Sequence, residues 1–380
     1  MLSYEAGKVL AKTLYTNPTL NYLDLSSKDL YNGAGQGIAD SLCNNITSTN
    51  LNLEGNYLGD EAGIALAMAL SKNITLICLN LKSNRLGNKA GIAFAEALCK
   101  NATLTDLKLG YNWLGKSAGN ALAESLCKNT MLTSLDLSNN ELDLVWNYLG
   151  ESTGKALAEA LYKNITLTYL YLLGNNLGVS ALAKALCKNT TLTNLDLKHN
   201  YLGVSVVKAL AEALCKNTTL TNLYLGHNEL GASAGIALAK ALCKNTTLIN
   251  LDLSWNKLNK SAGKALAEAL CKNATLTNLD LSHNMLNESA GKALAEALCK
   301  NTTLTNLDLS HNELLGESTG KALAKALFKN TTLTNLYLFD NNFGKSAGKA
   351  LAKALCKNNT LTILDLRNNN LSELAKKSTS

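Results

Sequence analysis

Four histidines, His199, His227, His283 and His311, are all that this chain of 380 residues has, and they recur at regular intervals with Trp255 in the same row. A second row runs beside it: Asp196, Tyr224, Asp252, Asp280, Asp308 and Tyr337. Imidazoles and carboxylates are the groups of metal binding and general acid–base catalysis. Both uses require convergence, because ligands must meet one ion within ~2.0–2.1 Å and a base must reach its nucleophile. Here every Ser, His and Asp belongs to a repeated row spread along the chain, with no unique cluster. The pattern predicts no catalytic residue, no metal and no cofactor.

Ten cysteines raise the question of disulfides. Nine of them (Cys43, Cys99, Cys127, Cys187, Cys215, Cys243, Cys271, Cys299 and Cys356) occupy one repeated position near a helix end, and the tenth is Cys78. Equivalent positions on adjacent helices lie ~8–10 Å apart, beyond the ~4.4–6.8 Å between Cα atoms that a disulfide spans. Tyr15, Ser71, Tyr162 and Phe328 fill the same position elsewhere. The expectation is reduced thiols that fill space in a cytoplasmic protein. Asn-x-Thr sequons such as Asn189-Thr-Thr191 and Asn301-Thr-Thr303 read as the turn from helix to strand rather than as glycosylation sites.

These rows need a periodic framework, and the chain supplies one. A unit of 28 residues is clearest from Leu276, and its frame opens at Leu20, Ser48, Leu76, Leu104, Leu132, Leu167, Leu192, Leu220, Leu248, Leu276, Leu304, Leu333 and Leu361. In Leu279-Asp280-Leu281 the alternation puts both leucines on one face of a short strand and the aspartate on the other. In the second half Ala290, Leu294, Ala297 and Leu298 share one helical face, with Lys292, Glu296 and Lys300 opposite. Glu296 and Lys300 have the spacing of an ion pair, and Asn301 reads as a left-handed helix cap. Gly291 and its equivalents fall inside helices, where close packing rather than phosphate binding is expected. Asparagines such as Asn256, Asn284 and Asn312, where each chain leaves its strand, read as structural groups that satisfy the backbone.

The unit resembles leucine-rich repeats of the ribonuclease-inhibitor type, L-x-x-L-x-L-x-x-N-x-L followed by a helix, which are also found in NOD-like receptors and Ran GTPase-activating protein. The likeness covers nearly the whole chain. It implies an α/β solenoid, residues 1–380 as a single leucine-rich-repeat domain, with parallel strands on a concave side and helices on a convex side. Strands ~4.8 Å apart backed by helices ~8–10 Å apart would have to curve into a horseshoe. The spacing is irregular around 138–181: seven residues look duplicated between Leu142 and Leu149, where a loop should bulge, and Val179-Ser180 runs into a shortened helix. Curvature is expected to break there. Ser3 to Asn17 reads as an ordinary repeat helix and Ser372 to Ser380 as a short polar tail, as if the chain were cut from a longer array.

Composition narrows the function. No stretch reaches the ~18 apolar residues of a membrane helix and the start lacks a secretory signal. The net charge of +7 comes mainly from lysine, with arginine only at Arg85 and Arg367. No basic grouping with stacking aromatics is evident, so no nucleic-acid or membrane partner is expected. The acidic row edged by rings, together with Trp113 and other aromatics beside the motif asparagines, suits protein recognition. The expected function is a non-enzymatic scaffold for a protein with a basic or mixed surface. Tandem duplication of one ancestral Asp and one ancestral His is the competing account of both rows. Two alternatives follow from the resemblance: a Ran-type GTPase activator, from which the lysine-bearing tail departs, and the sensing region of a NOD-like receptor, for which no nucleotide-binding motif is present.

Overall fold

The computed structural model describes residues 17–140, 149–178 and 180–371. The chain divides into two compact units, Met1–Asn200 and Tyr201–Ser380. The first unit alternates β1 (Tyr22–Asp24), α1 (Asn32–Leu42), β2 (Asn50–Asn52), α2 (Asp60–Leu70), β3 (Cys78–Asn80), α3 (Asn88–Leu98), β4 (Asp106–Lys108), α4 (Lys116–Leu126), β5 (Ser134–Asp136), α5 (Gly150–Lys163), β6 (Tyr169–Tyr171), α6 (Ser180–Leu186) and β7 (Asn194–Asp196). The second runs α7 (Val204–Leu214), β8 (Asn222–Tyr224), α8 (Gly231–Leu242), β9 (Asn250–Asp252), α9 (Lys260–Leu270), β10 (Asn278–Asp280), α10 (Glu288–Leu298), β11 (Asn306–Asp308), α11 (Gly316–Leu327), β12 (Asn335–Tyr337), α12 (Gly344–Leu355) and β13 (Ile363–Asp365). Within each unit the strands pair in chain order, all parallel, so the fold is an α/β leucine-rich-repeat solenoid.

The inner repeats bury the same set, which the described end repeats leave partly exposed at Leu20, Leu23, Leu361 and Leu364. Leu276, Leu281, Leu286, Ala290 and Leu294 have no exposed surface, and Leu279, Ala297 and Leu298 almost none. Burial of one leucine stabilises by roughly 2 kcal/mol, and stacking extends that gain from repeat to repeat. Register locks the strands one repeat apart: Asn278, Leu279 and Asp280 face Asn306, Leu307 and Asp308 on one side and Asn250, Leu251 and Asp252 on the other. The helical glycines are notches for this packing. A Cβ on Gly263 would come 2.6 Å from the Ala290 Cβ, and one on Gly291 2.4 Å from Thr319.

Two asparagine ladders stitch the coils. The amide of Asn284 donates to the carbonyls of Leu253 in the preceding repeat and Leu281 in its own, both at 3.0 Å. Its oxygen accepts the N–H groups of Asn256 at 3.1 Å and Leu258 at 2.8 Å. The motif asparagines are thus structural, as the sequence implies. The second ladder is the sequon row: Asn301 donates to Leu270 O and Asn273 O and accepts from the N–H groups of Thr303 and Leu304. Only 5 % of Asn301 is exposed. An amide so occupied offers no glycan acceptor in the folded chain.

Three expectations need correction or placement. Asn301 is not among the residues with positive φ; the helix ends on Cys299 in right-handed geometry, and Asn301 bridges repeats through its side chain instead. Lys300 lies past the end of α10 in the turn, so it does not share the helical geometry that would pair it with Glu296. Ion pairs of that spacing form where both partners lie within the helix, as in Glu151–Lys155 and Glu317–Lys321. The shortened helix is α6, at 7 residues against the 11 common elsewhere. The duplicated segment (141–148), the first helix (1–16) and the tail (372–380) lie outside the described residues.

Candidate functional site

On the second unit the side of β8–β13 away from the helices presents parallel rows of side chains, one per repeat. The central row is Tyr224, Asp252, Asp280, Asp308, Tyr337 and Asp365. Strand register sets Asp252, Asp280 and Asp308 side by side. All three are half-buried rather than freely displayed. In each, Oδ1 accepts the backbone N–H two residues on, from Ser254 at 2.9 Å, Ser282 at 2.8 Å and Ser310 at 2.8 Å. The same turn forms at Asp196 with Lys198 and at Asn52 with Glu54. Asp and Asn serve there because a short side-chain oxygen can cap the strand exit. This structural duty was legible in the interchange of Asp with Asn52 and Asn80, and the sequence reading missed it.

Burial pushes the Asp280 carboxyl up to about 6, against the opposing pull of its Ser282 hydrogen bonds and with the charges of Asp252 and Asp308 adding to the rise. The Asp308 carboxyl is raised as well, chiefly by burial. The cost expected of three aligned carboxylates is thus present, though desolvation is its larger part.

The next row is a stack of rings. His227 lies 4.6 Å from Trp255, Trp255 3.8 Å from His283, and His283 3.9 Å from His311, centroid to centroid, all within 18° of parallel. His311 then meets Phe339 edge-on at 4.7 Å and places Nδ1 3.2 Å from the Asp340 carboxylate. The backbone aligns the stack. His227, Trp255, His283 and His311 all have φ between 52° and 56°, and each donates its N–H to the next repeat, to the carbonyls of Ser254, Ser282, Ser310 and Phe339. Left-handed backbone suits Gly, Asn and Asp and is unusual for a bulky ring. Identical backbone at identical spacing projects the rings into one column. Burial, followed by the facing His311 and His227, holds His283 below the ordinary histidine value. Trp255 remains 47 % exposed at its edge.

A third row, absent from the sequence reading, is made of amides. Asn278 donates to Asn250, and Asn250 to Asn222, through their side chains. Phe339 and Asp340 also went unnoticed, and Arg367 was read for its charge alone. Arg367 pairs with Asp365 at 2.6 Å and lies 5.4 Å from the Phe339 ring. These residues interrupt their rows, so a search for repeated types passes over them.

Not every predicted residue belongs to this surface. Trp113, Asp196 and His199 lie in the first unit, where Trp113 is 40 % exposed and Asp136, also in the acidic row, is buried against Lys82 at 3.1 Å. The cysteines require a correction. All ten are free thiols, five exposed and five half-buried; the repeated position lies at the helix C-terminus instead of facing the core, and Cys78 stands on β3. Among the described residues no group of three His, Cys, Asp or Glu could hold a metal ion, and no helix is long and apolar enough to cross a membrane. A further correction concerns charge: lysines do gather, on the outward faces of the helices of the second unit, with Lys321 and Lys325 on α11 and Lys345, Lys349 and Lys353 on α12 all exposed.

Stacked repeats with parallel strands on one side and helices on the other define a repeat-built solenoid protein. This chain belongs to the leucine-rich repeat family: the model described as Leucine Rich repeat matches ten segments, 72–95, 100–123, 128–145, 188–211, 216–239, 244–267, 272–295, 300–324, 329–352 and 357–372, more than half of the chain. No curated protein matches it. Among solved structures it is similar to an internalin from Listeria monocytogenes, with 20% identity over 99% of this chain and 92% of that one at a TM-score of 0.58. It is also similar to yeast Rad7, solved with Elc1, with 19% identity over 95% and 88% of the two chains at 0.56. These likenesses carry the fold. Leucine-rich repeat domains are generally protein-binding scaffolds and typically non-catalytic.

Proposed function

We propose that the chain is a non-enzymatic scaffold, working in the cytoplasm, that holds a protein partner with a basic or mixed surface on the strand face of its second unit and the adjoining loops. The observation that carries this reading is the pairing of the two rows on β9–β11: an exposed edge of stacked rings beside three aligned carboxylates. Aromatic anchors flanked by polar groups are the usual composition of binding hot spots. A cationic partner would also relieve the mutual repulsion of Asp252, Asp280 and Asp308. The yeast relative in fold, Rad7, is itself solved with a protein partner. The 28-residue unit with a helix in every described repeat supports a place in the ribonuclease-inhibitor-type subclass.

The experiment is affinity capture from native lysate with the wild-type chain and with the Asp252→Asn/Asp280→Asn/Asp308→Asn variant, followed by binding measurements on the captured protein across salt concentrations. The reading requires weaker binding and a shallower salt dependence in the variant. Equal affinity and equal salt dependence would remove the strip as the site.

A further inference from the structure

The opposite side of the second unit has a different chemistry. Its helices point every fourth residue outward, and these positions are Lys208, Glu212 and Lys216 about α7, Lys264, Glu268 and Lys272 about α9, and Lys292, Glu296 and Lys300 about α10. In the last two helices the acidic member is replaced. The α11 row reads Lys321, Lys325 and Lys329, and the α12 row Lys345, Lys349, Lys353 and Lys357, all exposed. Five of these ammonium groups lie on the two helices and two, Lys329 and Lys357, in the turns that follow; the one carboxylate on α11 and α12 is Glu317, paired with Lys321. Side chains four apart on a helix are ~6 Å from one another, so Lys321 with Lys325, and Lys345 with Lys349 and Lys353, form close cationic rows.

These rows border a groove. Between α10 and α11 an open cleft of ≈ 710 Å³ is lined by Lys292, Lys321, Lys325 and Lys329 against one carboxylate, Glu296, with Ala295, Ala322 and Phe328 as its apolar part. Phe328 is 46 % exposed, and Lys357 Nζ lies 5.9 Å from its ring centroid. The equivalent cleft between α7 and α8 is smaller, ≈ 410 Å³, and has no aromatic residue.

We infer that the α10–α11 groove and the neighbouring lysines of α12 are a second docking surface, which takes an acidic peptide segment with an apolar side chain seated on Phe328. Charge complementarity fixes the sign of the occupant. Its class follows from three features. Every cation is a lysine, a hydrated point charge without the planar fork that grips phosphate bidentately, and both arginines are placed elsewhere, Arg85 over Tyr57 and Arg367 on Asp365. Phe328 is the one aromatic residue of the groove, whereas single-stranded nucleic acid needs successive rings on which to stack. A bilayer surface meets the lysines but cannot enter a cleft to reach its apolar part. This surface is independent of the acidic strand face and selects the opposite charge.

The test uses the whole chain and a fluorescein-labelled helical peptide carrying glutamates four residues apart and one leucine, read by fluorescence anisotropy. The wild type binds it; Lys321→Glu/Lys325→Glu/Lys329→Glu weakens binding about tenfold or more; Phe328→Ala weakens it while the salt dependence remains; and Lys208→Glu/Lys216→Glu on α7 leaves it unchanged. Circular dichroism and an unchanged unfolding midpoint establish that the variants are folded. Equal binding by the α11 variant overturns the assignment. So does tighter binding of an oligothymidylate or of phosphatidylserine vesicles than of the peptide, and so does self-association that disappears with Asp252→Asn/Asp280→Asn/Asp308→Asn. The Asp variant leaves peptide binding intact, which separates failure here from failure of the strand-face reading.

Discussion

The indole of Trp255 and the imidazole of His283 lie face to face, 3.8 Å between centroids and 13° from parallel, on consecutive repeats. Each residue has left-handed backbone and donates its N–H to the following repeat. An arrangement that places a tryptophan at φ 55° costs roughly 1–2 kcal/mol of backbone energy, which ring stacking and the inter-repeat hydrogen bond offset. This contact makes the ring row one continuous surface.

That geometry gives a spectroscopic signal. With Trp113 and Trp146 replaced by phenylalanine, the emission reports Trp255 alone. Protonation of His283 quenches the indole stacked on it, and because His283 is held below the ordinary histidine value, its part of the quenching, beside that of His227, which also stacks on the indole, falls below pH 6.5. In His283→Gln the step shrinks. Emission that ignores pH, or a step unaltered by His283→Gln, contradicts the stack.

The acidic row predicts a pH-dependent stability. The folded chain holds the Asp280 proton more tightly than the unfolded chain, since its carboxyl is raised from 3.8 to about 6. The contribution of Asp280 to stability is therefore fully present below the unfolded value and is lost as pH rises through the interval between the two. The loss amounts to about 3 kcal/mol at most. Asp280→Asn, which keeps the oxygen facing Ser282 N–H, should raise the unfolding midpoint at pH 8 and lose that advantage near pH 4. A midpoint gain independent of pH would mean that the charge is not the cause.

The asparagine ladder is the most sensitive structural element. Asn284→Ala leaves three carbonyls and two N–H groups without the bonds that Asn284 supplies. Each buried unsatisfied group costs about 1–3 kcal/mol, so chemical denaturation should show a loss on the order of 3 kcal/mol or more. A loss under ~1 kcal/mol would show that water replaces the amide.

Two glycines separate packing from backbone effects. Gly263→Ala drives a methyl to 2.6 Å from the Ala290 Cβ and should destabilise by about 1–3 kcal/mol. Gly203→Ala, at φ −72° with nothing within 4 Å of the added carbon, meets no clash and should cost less, under about 1 kcal/mol, through the weaker N-cap alone. Equal unfolding midpoints for the two variants would argue against close helix packing.

The fold was legible because period and burial coincide. The alternation in Leu279-Asp280-Leu281 and the helical spacing of Ala290, Leu294 and Leu298 each admit one placement of the core, and every repeat states it again. What stayed hidden depends on contacts between repeats. The stacking of His227, Trp255, His283 and His311 needs the backbone angle that aligns them, which no side-chain pattern reveals. Asn301 was misread as a cap because the carbonyls it bridges, Leu270 O and Asn273 O, lie a full repeat away. Alternation places the aspartates opposite the leucines but does not show the turn with Ser254, Ser282 and Ser310, in which they lie half-buried. The lysines looked scattered along the chain until twelve residues of α12 put Lys345, Lys349 and Lys353 on one side.

The most direct measurement is the dissociation constant of the captured partner for the wild type, Trp255→Ala and Lys321→Glu/Lys325→Glu/Lys329→Glu, determined by calorimetry on folded protein. If the strand face of the second unit is the site, truncation of Trp255 weakens binding about tenfold or more and the lysine variant binds as the wild type does. Unchanged affinity in Trp255→Ala would contradict the account.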